Sequence, residues 1–336
     1  MQDFAKREKK EKKMIRKDQL PKIWGDEWRC EAAAERLVVE RGTEMRLVLC
    51  NPEDAPMFML KTPSPCGDSP LKGGEQKGGY TVMPDVEHLA IEIEEGASLM
   101  LYRLQGMNTP ARHLTEAHIA MRRDARLDMC TVTLGGGHVR NNVVVRMQDE
   151  GCEVQANGLY LIDREQECDN YIFVEHAKPH CASRELYKGI VDDAARARFN
   201  GHVLVQDGAV KTEAYMTNRN ILLTDKAHVD TRPFLEIYND DVKCSHGSTI
   251  GQLDELAKFY LMTRGISERT AITMLSYAFC DEVIRGIAIE SLRDAVGDMV
   301  KKRLHGELSS CADCAIACTS PCNGPDAHFE IDTTKL

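Results

Sequence analysis

The chain has 336 residues, of which 43% are hydrophobic and 29% are charged, values typical of a folded protein with two or three domains. Its formal net charge of -10 argues against a general nucleic-acid binder, whose surface would be basic. The sequence also lacks a run of roughly 18 apolar residues that could cross a membrane, and its N-terminus lacks the apolar centre of a signal peptide, so we expect a cytoplasmic protein. In that compartment the 13 cysteines indicate metal or redox chemistry rather than disulfides.

Residues 1–84 give mixed signals and are predicted to form a short N-terminal region. The basic stretch 1–17 lacks a clear apolar face, which is typical of a solvated helix. Residues 62–79 are rich in Pro and Gly and predict an exposed loop. No GK[ST] sequence follows these glycines, so we expect no nucleotide site in this chain.

From about residue 85 the pattern changes to short apolar segments divided by turn residues, which recur about every 15 residues. No helix-length pattern intervenes, so an all-β core over residues 85–251 is predicted. A sandwich and a solenoid both satisfy this periodicity. The predicted strands are Leu89–Glu94, Ser98–Leu104, Met129–Leu134, Val139–Met147, Val154–Ile162, Tyr171–Glu175, Ala197–Val205, Asn220–Thr224 and Val229–Tyr238.

Four of the histidines within this region lack the spacing of metal ligands, and none of the four is predicted to be a ligand. They are His138, His176, His180 and His202.

Residues 234–265 lead from strand to helix and contain the one Cys-x-His sequence of the chain. A strand is predicted over 242–249, in which residues two apart point to the same face. Cys244 and His246 therefore project together and form half of a soft-metal or nucleophile site. A buried thiol beside a histidine with an ordinary hydrogen-bond partner explains the same pair.

Three helices are predicted in the C-terminal region, residues 252–308. The first covers Asp254–Arg264, with Asp254 as its N-cap. The second is capped by Ser267 and runs to about Ile287, and the third covers Ile289–Leu304. Helices this short need a surface to pack on, and the end of the β region is the one available.

The tail, residues 309–336, brings four thiols within twelve residues: Cys311, Cys314, Cys318 and Cys322. Thiolates suit zinc and iron–sulfur clusters, so these residues are predicted to bind a metal centre. The extra residue and the displaced proline set the spacing apart from the bacterial ferredoxin pattern. A flexible reduced tail is the alternative.

The sequence NDDVKCSHGSTIGQLDELAKFYLMTRGIS, residues 239–267, resembles the C-terminal signature of the SufB/SufD family of iron–sulfur assembly scaffolds. The resemblance extends upstream through KTEAYMTNRNILLTDKAHVDTRPFLEIY (211–238) and RFNGHVLVQDGA (198–209), and covers roughly residues 85–305. Gly247 stands where SufB-type chains usually have Glu, so the chain is more similar to SufD.

The resemblance implies a right-handed parallel β-helix core and a C-terminal helical region that docks the ATPase SufC. It implies pairing through the β-helices, with a SufB-like partner or with a second copy, and an indirect link to the cysteine desulfurase system. It also assigns Cys244 and His246 to the assembly of a transient iron–sulfur cluster. It gives no role to the cysteine tail and implies neither a nucleic-acid partner nor a membrane.

Two alternatives remain at this point. One is a β-helix carbohydrate-active enzyme, which needs paired carboxylates or a calcium site facing a groove. The other is a purely structural adaptor for SufC, which needs neither Cys244 nor His246.

Overall fold

The computed structural model describes residues 35–50, 80–106 and 112–305. These residues form fifteen strands followed by three helices. The strands are β1 (Glu35–Val39), β2 (Glu44–Cys50), β3 (Thr81–Met83), β4 (His88–Ile93), β5 (Ser98–Gln105), β6 (Arg112–Met121), β7 (Arg126–Thr133), β8 (His138–Met147), β9 (Glu153–Ile162), β10 (Glu167–His176), β11 (Ala182–Val191), β12 (Arg196–Val205), β13 (Thr212–Leu222), β14 (His228–Ile237) and β15 (Val242–Gly251). The helices are α1 (Glu255–Thr263), α2 (Glu268–Arg285) and α3 (Glu290–His305).

The strands form two parallel sheets, and the chain alternates between them along most of its length. Sheet 1 has the order β1-β4-β6-β8-β10-β12-β14, and sheet 2 has the order β15-β13-β11-β9-β7-β5-β2-β3. Every described pairing between strands is parallel, for example β10 with β8 and β12. Such an arrangement is a parallel β-helix, so this part of the fold prediction is confirmed.

Each coil of the β-helix repeats the register of the coil before it. His138, Glu167 and Arg196 occupy equivalent positions and follow one another at intervals of 29 residues. One coil contains one strand of each sheet, which explains the 15-residue spacing of the turn signals. Alternate side chains of both sheets point inward and form one continuous apolar core, to which Ile172, Val174 and Phe199 belong.

The turn that enters most strands of sheet 2 uses a left-handed residue. This holds for β2, β5, β7, β9, β11 and β13, where the left-handed residues are Gly42, Gly96, Asp124, Gly151, His180 and Lys211, with φ between 54° and 76°. Four of the residues that follow are small and almost completely buried: Ala97, Ala125, Cys152 and Cys181. The carbonyl oxygen of each accepts a hydrogen bond from a backbone N–H of the next coil. Examples are Glu153 N–H to Ala125 O (3.0 Å) and Ala182 N–H to Cys152 O (2.9 Å). These four residues therefore form a column along one corner of the β-helix.

The second and third helices cover the outer face of sheet 2. A second apolar core lies there, in which Tyr102, Leu159 and Leu161 of the strands pack with Val283 and Val296 of α2 and α3. The Tyr102 hydroxyl accepts a hydrogen bond from the backbone N–H of Ala288 (3.1 Å). The Asp254 carboxylate accepts from the N–H groups of Leu256 and Ala257, and the Ser267 hydroxyl accepts from that of Thr270, so both predicted N-caps are confirmed.

Several strands are longer than the sequence pattern predicted, and within residues 85–251 the strands β6 and β11 were not predicted. Both missed strands carry polar or charged side chains at buried positions, such as Thr115, Ser183 and Glu185, which break the apolar alternation. The same reason delayed the predicted start of β13, where Asn218 and Asn220 point into the core. In the described part of the N-terminal region, residues 35–50 and 80–84, the chain forms β1, β2 and β3.

The basic stretch 1–17, the Pro/Gly-rich loop 62–79 and the cysteine tail lie outside the described residues. Within the part of the chain that is described, no helix has the length and apolar character needed to span a membrane.

Candidate functional site at the open end of the β-helix

The β-helix ends in two strands that pair on one side only. Among the described residues, β15 pairs with β13 alone and β14 with β12 alone, so each strand has one edge without a neighbouring strand. Such an edge presents a row of backbone donors and acceptors to another chain. This end is therefore a natural place for pairing.

Cys244 and His246 lie on β15 and project to the same face, as the sequence predicted. Their register partners on β13 are Ala214 and Met216. Residues two apart on a strand are separated by about 6.8 Å, so the two side chains can reach a common ligand. Between them Ser245 faces the other way, and Lys243 uses that opposite face to bind the Glu213 carboxylate at 2.9 Å.

The two residues differ in exposure. Cys244 is half-buried and packs against the interior core, whereas His246 is exposed. Burial raises the pKa of the Cys244 thiol and the Glu185 carboxyl adds to that effect, while a backbone hydrogen bond from Ala214 opposes it. The free thiol is therefore the favoured form until a cation replaces its proton.

A polar cluster lies inside the β-helix two strands below His246. Glu185 of β11 is aligned with Met216 and then His246, and it is 2% exposed. Neither of its carboxylate oxygens has a hydrogen-bond partner among the described residues, although the nearby Ser183 side chain partly opposes the effect of burial on its pKa. Burial raises the pKa of Glu185 to about 8, which keeps the group protonated at neutral pH.

His176 belongs to the same cluster. It is completely buried and its Nε2 lies 3.0 Å from the Ser183 hydroxyl. Burial lowers the pKa of this imidazole to about 3, so it is neutral. As predicted from its spacing, His176 has no other metal-ligating side chains converging on it among the described residues, whereas the burial of Glu185 was not predicted. The signal for Glu185 was a charged residue at an inward position of the alternation in 182–191.

Exposed apolar side chains surround the open end. Phe234 and Ile237 lie on β14, Tyr238 follows it, and Ile250 lies near the end of β15. On α1, Leu256 is 80% exposed and Phe259 is 65% exposed, and α1 has no buried residue. A concentration of this kind on one region of a surface indicates an interaction site.

The remaining predicted residues stand apart from this end. Cys311, Cys314, Cys318 and Cys322 lie outside the described residues. His138 and His202 lie on the outer face of sheet 1, each with its Nε2 3.2 Å from a carboxylate oxygen, of Asp169 and of Glu236 respectively. Throughout the described ranges, no three His, Cys, Asp or Glu side chains converge as a metal site. One chain thus offers a thiol and an imidazole, and any further ligand has to come from elsewhere.

Two basic side chains, Lys188 and Arg303, attach the helical region to the β-helix. Lys188 of β11 is 4% exposed, and its Nζ donates to the Phe279 carbonyl of α2 at 2.9 Å and pairs with Glu282. Arg303 of α3 reaches the Leu134 carbonyl at 3.1 Å and Asp163 at 2.7 Å. These contacts hold α2 and α3 in place, while α1 stays exposed beside the open end.

A family model described as the SufBD core domain of SUF-system iron–sulfur cluster assembly matches residues 85–279. The iron–sulfur cluster assembly protein SufD of Escherichia coli (strain K12) is 38% identical over 216 residues, which are 64% of this chain and 51% of that protein. A SufBD family protein of Synechocystis is 34% identical over 224 residues, 67% of this chain and 47% of the relative. One from Mycobacterium leprae is 34% identical over 228 residues, 66% and 57% of the two chains.

The fold and the edge site define a parallel β-helix protein whose last coil is open for pairing. The chain belongs to the SufBD family of iron–sulfur cluster assembly proteins, and it is similar to the SufD members of that family. It spans about half the length of the curated relatives that it matches.

Proposed function

We propose that this chain is a SufD-like, non-enzymatic subunit of an iron–sulfur assembly scaffold, and that Cys244 and His246 supply ligands to a cluster under construction. The observation that carries the proposal is the position of both residues on β15, an edge strand with one open side. The cluster is the cargo of this site. A scaffold must release what it builds, and two mixed ligands from one chain suit release better than a closed cage of four thiolates.

The remaining ligands would come from a second β-helix subunit docked at the open end. The open edges of β14 and β15 supply main-chain pairing, and the exposed Phe234, Tyr238 and Ile250 supply apolar area. The partner is a SufB-like chain or a second copy of this one. The proposed site is therefore completed only in the dimer.

Residues 252–305 would dock a SufC-type ATPase. Lys188 and Arg303 fix α2 and α3 to sheet 2, so a force applied to the helices is passed to the β-helix. The exposed apolar face of α1 is available for the contact. ATP hydrolysis then belongs to SufC, and the connection with cysteine desulfurase is indirect. The cysteine tail is proposed to hold a separate metal centre, zinc or iron–sulfur, and the complex to act in the cytoplasm.

The test is anaerobic co-purification of the full chain with its native partners, followed by iron and sulfide assays. Wild type is expected to carry iron and sulfide, whereas Cys244→Ser and His246→Ala are expected to remain folded and dimeric but to lose most of both. Lys243→Ala is the matched control, because its side chain leaves the same strand on the opposite face. If both site variants retain wild-type iron and sulfide and also replace the native protein in cells, the chain is only an adaptor.

A further inference from the structure

Two cysteines occupy equivalent positions in consecutive coils, away from the proposed cluster site. Cys152 precedes β9 and Cys181 precedes β11, and the two belong to the corner column described above, between Ala125 and Thr212. Adjacent strands of a sheet lie about 4.8 Å apart, so the two side chains start at that separation. Both residues are buried, with 0% and 1% of their surface exposed.

The two thiols converge on a single carbonyl oxygen. The Sγ atoms of Cys152 and Cys181 each lie 3.3 Å from the carbonyl oxygen of Asp149. Cys152 Sγ also lies 3.0 Å from the Arg122 carbonyl, and Cys181 Sγ lies 3.6 Å from the Pro179 carbonyl. Backbone carbonyl oxygens, which can accept a hydrogen bond or contact a cation, therefore lie next to both sulfur atoms.

The two thiols influence each other's ionisation. The Cys152 side chain, together with the N–H groups of Cys152 and Gly151, lowers the pKa of Cys181. The Cys181 side chain and burial raise the pKa of Cys152. This interaction agrees with the convergence of both thiols on the Asp149 carbonyl, and a metal ion bound to both sulfurs would replace their two protons.

The two sulfur donors limit the kind of metal ion that this site can bind. Thiolates prefer soft cations such as Cu(I) and Zn²⁺. Zinc requires four ligands, but the described residues provide no third Cys, His, Asp or Glu to this pair. A monovalent ion of this class needs only two sulfur ligands, which this pair provides, and the Asp149 carbonyl oxygen lies 3.3 Å from each sulfur. We propose that Cys152 and Cys181 form a buried two-sulfur site for a soft monovalent metal ion of the Cu(I) or Ag(I) type.

Binding forms two sulfur–metal bonds, and the two thiol protons pass to the buffer, so no electron is transferred. The turns that precede the two cysteines are restricted in conformation. Gly151 has φ +76°, and a side chain there would meet the Asp124 carboxylate at 2.1 Å, which restricts the path of the backbone before Cys152. His180, which precedes Cys181, also has a positive φ of 58°.

The test uses the full chain carrying five substitutions, so that the thiols of the tail and of the proposed cluster site make no contribution. These are Cys244→Ser, Cys311→Ser, Cys314→Ser, Cys318→Ser and Cys322→Ser. Cu(I) is added under anaerobic conditions in competition with a coloured Cu(I) chelator. One tightly held Cu(I) per chain is expected. Cys152→Ser and Cys181→Ser should each weaken its retention by at least about a hundredfold.

The matched control is Cys168→Ser, a buried cysteine of the same core whose register neighbours are Val139 and Ala197 rather than a second thiol. This control should hold copper like the parent chain. Equal retention by all four chains, or loss in the control alone, would overturn the proposal.

A second measurement separates loss of the site from loss of the fold. Copper K-edge absorption of the parent chain is expected to show two sulfur neighbours, and this result does not depend on any variant folding. A shell of three or four sulfurs, or a shell of nitrogen and oxygen only, would overturn the proposal. So would failure of the reduced parent chain to retain any copper.

Discussion

Arg303 of α3 and Asp163 at the end of β9 form an ion pair with Nη2 and Oδ2 2.7 Å apart, and both side chains are largely buried. Arg232 and Asp230 on β14 form a pair of the same length, 2.7 Å, but the Arg232 side chain is 72% exposed. The two pairs differ mainly in their contact with water. They therefore offer a matched test of what fixes the helical region to the β-helix.

We expect Arg303→Met to lower the free energy of unfolding by about 2–4 kcal/mol, because it leaves the Asp163 carboxylate buried without its partner. Arg232→Met should lower it by less than about 0.5 kcal/mol, since exposed pairs contribute little. Urea unfolding followed by circular dichroism measures both changes. Equal effects of the two substitutions would mean that Arg303 does not anchor α3.

Glu185 should make the stability of the protein fall as the pH rises from about 5 to about 8. Its folded pKa is about 8, whereas an unfolded Glu has a pKa of about 4.3. Between these values the folded chain holds a proton that the unfolded chain has lost, so stability decreases with increasing pH and stops changing above the folded pKa. Glu185→Gln is neutral throughout this range and removes the decrease.

The difference in unfolding free energy between Glu185→Gln and wild type should therefore grow in favour of the variant by about 2–4 kcal/mol between pH 5 and pH 8. Taking the difference cancels the contribution of His176, whose lowered pKa acts in the opposite direction. Glu213→Gln is the control, because ion pairing with Lys243 lowers rather than raises the pKa of Glu213. A difference that does not vary with pH would show that Glu185 is not buried as a neutral acid.

The exposed face of α1 should be required for binding of SufC. Leu256→Ser combined with Phe259→Ser removes two apolar side chains that touch no core, so co-purification of SufC should be lost while the unfolding midpoint is unchanged. Deletion of residues 252–336 should also abolish co-purification. Val38→Ser, on an exposed position of β1, is the control for a lost surface side chain. Stoichiometric SufC on the double variant would exclude α1 from the interface.

The cysteine tail is predicted to bind one metal centre that is independent of Cys244. Replacement of Cys311, Cys314, Cys318 and Cys322 by Ser should lower the metal content per chain without changing the fold or the binding of SufC. Elemental analysis of proteins purified from the same medium measures this directly. The same metal content in both proteins would mean that the tail holds none.

Local signals in the sequence were sufficient to predict the helix caps and which residues share one face of β15. Asp254 and Ser267 bond the N–H groups that follow them within three residues, and the side chains of Cys244 and His246 share a face because strands alternate. The choice of a β-helix over a sandwich came from the family resemblance. Periodicity specifies the strands and turns, but it does not specify which strands become neighbours.

Contacts between coils could not be predicted from the sequence. The Tyr160 hydroxyl lies 2.5 Å from the Asn220 amide oxygen, although the residues are 60 positions apart. Gly189 lies against the Tyr160 ring, and a Cβ at that position would come within 2.1 Å of it. Such pairs become visible only when the register of three coils is known. The burial of Glu185 was not predicted for a related reason, since it depends on the strands before and after its own.

The open edges of β14 and β15 also have a consequence for the supply of this protein in the cell. In the proposed dimer, a molecule without its partner leaves these edges exposed, and strand edges accept incorrect strands as readily as correct ones. Synthesis of one subunit in excess would therefore create a population prone to aggregation and degradation. For the proposed dimer we expect production of the two partners in equal amounts, close together in time, to keep that population small.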